Sequence, residues 1–171
     1  MPARSKLPPL VRLIISLVVC AAAGSINAFL ALPLMPGWFD ALKRPAFLPP
    51  DQYLVPLALL VYLILGFILY FLWQESRGDP QDRRYCIALL FITLIVLDLW
   101  GYLFFGLKSP LMGVMGSVLA IAILMATMVQ AIRVSFSATL LLFPIVIIVF
   151  IMAYANYLIV QLNPFLPAFG I

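Results

Sequence analysis

The sequence predicts an all-α membrane protein, a bundle of five transmembrane helices with a Pro- and aromatic-rich first loop, occupying residues 1–171 as one domain. Three observations carry that expectation. Apolar residues make up 66% of the chain and charged residues only 9%, against roughly 45–50% and about 25% in soluble domains. The mean hydropathy is +1.20. The apolar residues also fall into five runs, each near the roughly 20 residues that a helix needs to cross a bilayer. So few charges could not cover a surface in water, and lipid is the solvent that the composition asks for.

The first run, about 10–33, follows Arg4-Ser5-Lys6. It is longer than the roughly 7–15-residue apolar core of a secretory signal, so it reads as the first spanning helix. Pro33, Pro36 and Gly37 close it, and Pro45, Pro49 and Pro50 precede the second run at about 53–74. Glu75 to Arg84 is the one strongly polar loop, leading to a third run at 85–106. Lys108-Ser109-Pro110 turns the chain into the fourth, 111–132, and Arg133-Val134-Ser135 is a tight join to the fifth, 136–161. Pro164 and Pro167 end it. Pro56 and Pro144 fall early in the second and fifth helices, where a proline removes a backbone donor and can kink the axis.

An odd number of spans puts the termini on opposite sides. The N-terminal tail, the second loop and the fourth join carry basic residues 4, 6, 12, 77, 83, 84 and 133, while the other side has 43, 44 and 108. The excess of Lys and Arg predicts a cytoplasmic N-terminus. The lack of an Arg/Ser-rich transit-like extension points to a prokaryotic plasma membrane.

Several chemistries are not expected. The chain has no His, which removes His-ligated haem, the common zinc sites and a Ser-His-Asp triad. Its basic residues sit at the ends of apolar runs instead of forming the clustered face of a nucleic-acid site. Cys20 and Cys86 lie in or beside apolar runs and read as small hydrophobes. No phosphate-cradling Gly loop occurs, and Asp98 is the one acidic residue deep in a predicted span, so no paired carboxylates are available. Neither an enzyme nor a bound metal or cofactor is expected.

The first loop, 34–52, is unusual in being long yet apolar: Met35-Pro-Gly-Trp-Phe-Asp-Ala-Leu-Lys-Arg-Pro-Ala-Phe-Leu-Pro-Pro50. It suits an interfacial aromatic belt or a lid in which Trp38, Phe39, Leu42 and Phe47 cover the mouth of the bundle. Within it, Trp38-Phe39-x-x-Leu42-x-x-Pro45-x-x-x-Pro49-Pro50 continues in register into Tyr62-x-x-x-Gly66-x-x-x-Tyr70-x-x-Trp73-Gln74-Glu75. Further on come Leu97-Asp98-Leu99-Trp100 with Phe104-Phe105, then Pro144-Ile145-x-x-Ile148 and Ala155-Asn156-Tyr157. This ordered set resembles the translocator protein family, also called tryptophan-rich sensory proteins or peripheral benzodiazepine receptors.

That resemblance implies a five-helix bundle, often dimeric, whose first loop lids a pocket between helices. It implies a binding or sensory protein for a hydrophobic ligand such as a tetrapyrrole, sterol or other lipid, with a role in its transport. The ligand-binding candidates are Trp38 and Phe39 in the loop, with Leu54, Ala58 and Tyr62 in the second helix. The third helix adds Leu97, Asp98 and Trp100, and the fifth adds Ile148, Met152 and Asn156. Departures matter too: Ala58 and Ile148 stand where the family has pocket tryptophans, and Leu97 where it has Asn. Two other functions therefore stay in view, a non-binding structural or regulatory subunit that kept the scaffold, and a proton-coupled transporter using Asp98.

Polar residues inside spans need partners in lipid. Asp98 should face the bundle interior and either pair or carry a proton, with Asn156 or Asn27 as its expected partner. Asn27, Asn156 and Gln130 read as interhelical glue. Small residues at four-residue spacing (Ala21/Ser25, Gly24/Ala28, Gly113/Ser117 and Gly116/Ala120) allow close helix approach, either within the bundle or at a homodimer seam.

Overall fold

The structure, a computed structural model, describes residues 7–75 and 79–164. The expectations placed on Arg4, Ser5, Lys6, Arg77 and Pro167 lie outside the described residues. Among the described residues, five helices are long and apolar enough to cross a membrane: α1 (Pro9–Ala31), α2 (Asp51–Gln74), α3 (Pro80–Gly101), α4 (Pro110–Val134) and α5 (Phe136–Leu162). The chain is an integral, multi-pass membrane protein.

The boundaries follow local chemistry. Pro9, Pro80 and Pro110 each open a helix, the position where a missing N–H costs nothing and φ is already set. The Asp79 side chain accepts from the Gln81 backbone N–H at 2.8 Å, so α3 starts five residues before the apolar run at 85. Its first turns are polar, and hydropathy alone cannot see them as helix. Ser109 and Ser135 cap α4 and α5 by accepting from the backbone N–H groups of Met112 and Ala138. Ser135 is the single residue between those two helices. Both α2 and α5 run on through Pro56 and Pro144.

The helices pack in a ring: α1 on α2, α2 on α5, α5 on α4, α4 on α3, and α3 back on α1. Small residues let the axes approach. A Cβ on Gly24 would stand 2.8 Å from the Tyr62 ring, and one on Gly66 would stand 3.1 Å from the Cα of Leu17. Gly113, Gly116, Ser117 and Ala120 are buried on α4, with Gly113 facing Phe104 and Gly116 facing Trp100. Gly24, Gly113 and Gly116 thus serve close packing inside the bundle. Ser25 points outward, its hydroxyl donating to the carbonyl of Ala21.

The first loop is more ordered than a belt. Past α1 the chain tightens through a 3₁₀ turn, Leu32–Leu34, and a π turn, Met35–Phe39. Gly37 takes φ +100° there, a conformation that L side chains disfavour, and it turns the chain back over the bundle. Phe39 and Leu42 are buried beneath it. The loop is also tied down at its far side. Asn163, just after α5, accepts from the Lys43 backbone N–H at 3.0 Å and donates to the Lys43 carbonyl at 2.9 Å. Phe47 stacks on Tyr154 of α5 with 6.0 Å between ring centres.

Candidate functional site

Beneath this loop the ring of helices encloses a cavity of about 160 Å³. A single water needs roughly 10–15 Å³, so the space is large enough for an organic molecule. All five helices reach it. From the loop come Met35, Phe39 and Leu48; α2 contributes Leu54, Ala58 and Tyr62; α3 contributes Leu97 and Trp100; α5 contributes Ile148, Met152 and Asn156. Nine of the eleven candidates named from sequence therefore share one wall.

Two do not. Trp38 stands behind the roof, edge-on to Phe104 at 5.4 Å and to Phe105 at 6.3 Å. Asp98 is turned away from the cavity, and its carboxylate accepts from the Tyr62 hydroxyl at 2.6 Å. The expected partners of Asp98 differ accordingly. Asn27 reaches it only through Tyr62, donating to that hydroxyl at 3.2 Å and to the Leu97 carbonyl at 3.0 Å. Asn156 pairs elsewhere, donating to Ser117 Oγ at 2.8 Å. A chain of side chains thus ties α1, α2 and α3 together, and a second ties α4 to α5. Gln130 makes a further tie, donating to the Asp82 carboxylate at 2.9 Å.

Sequence reasoning missed part of the lining. Ser117 and Ala120 bring α4 into the wall, yet their spacing predicts only close helix approach, within the bundle or at a homodimer seam. Phe104 and Phe105 close the roof from the π turn Tyr102–Gly106. Phe104 stacks on Trp100 at 5.6 Å and meets Phe105 edge-on at 4.8 Å. The Phe-Phe pair was visible as a motif, but no periodicity could show that a π turn aims both rings inward. Aromatic pairs of this kind add about 0.5–1.5 kcal/mol beyond their buried area, and those of Trp38 and Phe39 with Phe104 and Phe105 join the first loop to the end of α3.

The loop's charges sit outside the cavity. Arg44 is bonded to Asp51 at the start of α2, lies 3.7 Å from Asp40 and covers the Phe39 ring at 4.5 Å. Asp40 shares a hydrogen bond with the Asp51 carboxyl, which pushes its pKa above the ordinary carboxylate value. Among the described residues no group of three His, Cys, Asp or Glu side chains could hold a metal. The cavity offers apolar area, aromatic faces and a few amide and hydroxyl groups. This is the make-up of a site that binds a ligand by shape.

The sequence is also similar to those of known proteins. The sequence model of the TspO/MBR family matches residues 16–162. The tryptophan-rich protein TspO of Archaeoglobus fulgidus is 29% identical over 155 residues, spanning 90% of this chain and 98% of its own. That of Chlorobaculum tepidum is 30% identical over 147 residues, spanning 85% and 92%. Protein CrtK of Rhodobacter capsulatus is 30% identical over 148 residues, spanning 86% and 89%.

Proposed function

The chain belongs to the TspO/MBR family, and from that premise we propose that it is a membrane binding or sensory protein for a hydrophobic ligand of the tetrapyrrole, sterol or lipid kind, with a role in its transport. The observation that carries this reading is the cavity itself. Ala58 and Ile148 replace larger family side chains, yet both line an open space beneath the loop. A scaffold that had lost its site would have filled that space, because an unfilled cavity costs the core its packing contacts. Affinity would come from apolar burial, with Trp100, Tyr62 and Asn156 fixing orientation. The protein acts by binding and not by catalysis, and its N-terminus faces the cytoplasm of a prokaryotic cell.

A proton-coupled transporter centred on Asp98 is less well supported, since that carboxylate is bonded to Tyr62 and lies off the cavity wall. The test of the binding reading uses benzofuran, a neutral bicyclic probe, in equilibrium dialysis against the protein in neutral detergent, corrected for empty micelles. Saturable binding that is lost in Ala58→Phe, with the helical fold retained, is the expected result. Uptake that does not saturate, or that Ala58→Phe leaves unchanged, overturns it.

A further inference from the structure

The polar groups around the cavity have most of their hydrogens already committed, and that restricts what can enter. The Leu97 carbonyl can only accept, so the Asn27 amide must turn its nitrogen toward it. The second hydrogen of that nitrogen goes to the Tyr62 hydroxyl. Tyr62 spends its own hydrogen on Asp98. On the opposite wall the Ser117 hydroxyl donates to the Gly113 carbonyl at 2.8 Å, so Asn156 must approach Ser117 with its nitrogen. This leaves the amide oxygen of Asn156, a cavity-lining residue, and the second hydrogen of its amide nitrogen with no partner among the described residues. The indole nitrogen of Trp100 also has no partner, but it is sealed from solvent-sized contact. The lining amides of Asn27 and Asn156 thus keep two acceptor oxygens against the single remaining hydrogen of Asn156, and the wall offers acceptance more readily than donation.

Charge restricts the ligand further. None of the residues lining the cavity is Lys, Arg, Asp or Glu, and the chain contains no His. Arg44, which covers the Phe39 ring on the roof, is taken up by Asp51 and Asp40. A carboxylate entering the cavity would be desolvated without a countercharge, which is strongly unfavourable.

We infer that the cavity selects an uncharged apolar molecule carrying a hydroxyl or N–H donor, which it directs at the amide oxygen of Asn156. This rests on the binding reading above and narrows its ligand class. It favours a sterol-like or isoprenoid-like alcohol, or a neutral pyrrolic N–H compound, over a tetrapyrrole with ionised side chains.

The test compares three probes of nearly one shape in the same dialysis: indole, which donates; benzofuran, which does not; and benzofuran-2-carboxylate, which is charged. Indole should bind about 3- to 10-fold more tightly than benzofuran, the size of one net hydrogen bond. The carboxylate should bind at least about 10-fold more weakly than benzofuran. Asn156→Leu should bring indole down to the level of benzofuran. Equal binding of indole and benzofuran, or carboxylate binding as tight as that of benzofuran, overturns the inference while leaving the binding reading intact. Failure of all three probes to bind saturably overturns both. The probe comparison on the unaltered protein decides the matter even if Asn156→Leu fails to fold.

Discussion

The Tyr62 hydroxyl and the Asp98 carboxylate meet at 2.6 Å across the α2–α3 contact, which puts the one acidic group deep in a span under the control of a cavity-lining tyrosine. Tyr62 is itself buried and receives a hydrogen bond from Asn27. Tyr62→Phe removes both bonds, leaving the half-buried Asp98 carboxylate without its partner and Asn27 with only its bond to the Leu97 carbonyl. Interhelical bonds in lipid are worth about 0.6–2 kcal/mol each. Tyr62→Phe should therefore lower the unfolding temperature in detergent by several degrees. Asp98→Asn, which keeps an acceptor oxygen for Tyr62, should lower it less. An equal or larger loss in Asp98→Asn would show that the carboxylate's charge, not the bond, is what matters.

Close approach at Gly24 makes a second prediction. An added Cβ would stand 2.8 Å from Cγ of Tyr62, and the ring cannot retreat without breaking its bonds to Asp98 and Asn27. Gly24→Ala should cost about 1–3 kcal/mol, as overpacking does, despite the higher helix propensity of Ala. The same change at Gly37 acts by another route: nothing lies within 4 Å, but φ is +100°, so strain in the turn is the cost. Comparing thermal unfolding of the two variants with and without Tyr62→Phe separates these causes. Only the Gly24 penalty should shrink when the tyrosine hydroxyl is gone.

Much of this was legible in the chain, for reasons that differ from feature to feature. Spans announce themselves because lipid demands uninterrupted apolar helix, and Pro and Gly mark where it stops. The wall positions Ala58, Tyr62, Trp100 and Ile148 could be placed because a resemblance to relatives carried them, not because spacing did. What stayed hidden depends on rotation about helix axes and on backbone departures from the α-helix. Asp98 and Leu97 differ by about 100° on one helix, and that turn puts Leu97 on the cavity and Asp98 against Tyr62. The π turn at Tyr102–Gly106 re-aims Phe104 and Phe105, and no count of residues could reveal it.

The loop's charges predict a pH response. Asp40 is pushed upward by its hydrogen bond to the Asp51 carboxyl, so it binds its proton more tightly in the folded protein than in the unfolded chain. Such a group opposes folding while ionised, and the opposition fades as pH falls through its raised value. Asp40→Asn should be neutral or slightly stabilising at pH 7, and its difference from the unaltered protein should vanish below about pH 4. Thermal unfolding between pH 4 and pH 7 checks this. A loss of stability in Asp40→Asn at pH 7 would mean that its ion pair with Arg44 outweighs repulsion from Asp51.

The bond pair between Asn163 and Lys43 governs how readily the roof opens. Both bonds are backbone-directed on the Lys43 side and exposed, so each contributes at the low end of about 0.5–1.5 kcal/mol. Their loss should hardly move the global unfolding temperature, which the buried helix contacts set. Local opening is different, because its free energy is small to begin with and a loss of about 1 kcal/mol multiplies the open population roughly 5-fold. Asn163→Ala should therefore speed tryptic cleavage after Lys43 in detergent by about that factor. Arg44 is followed by Pro45, so the bond after Lys43 is the informative one. A bound neutral ligand beneath Phe39 should slow the cleavage again in the variant, because it favours the closed roof. Cleavage unchanged by Asn163→Ala would leave the aromatic contacts of Phe39 and Phe47 as the roof's real hold.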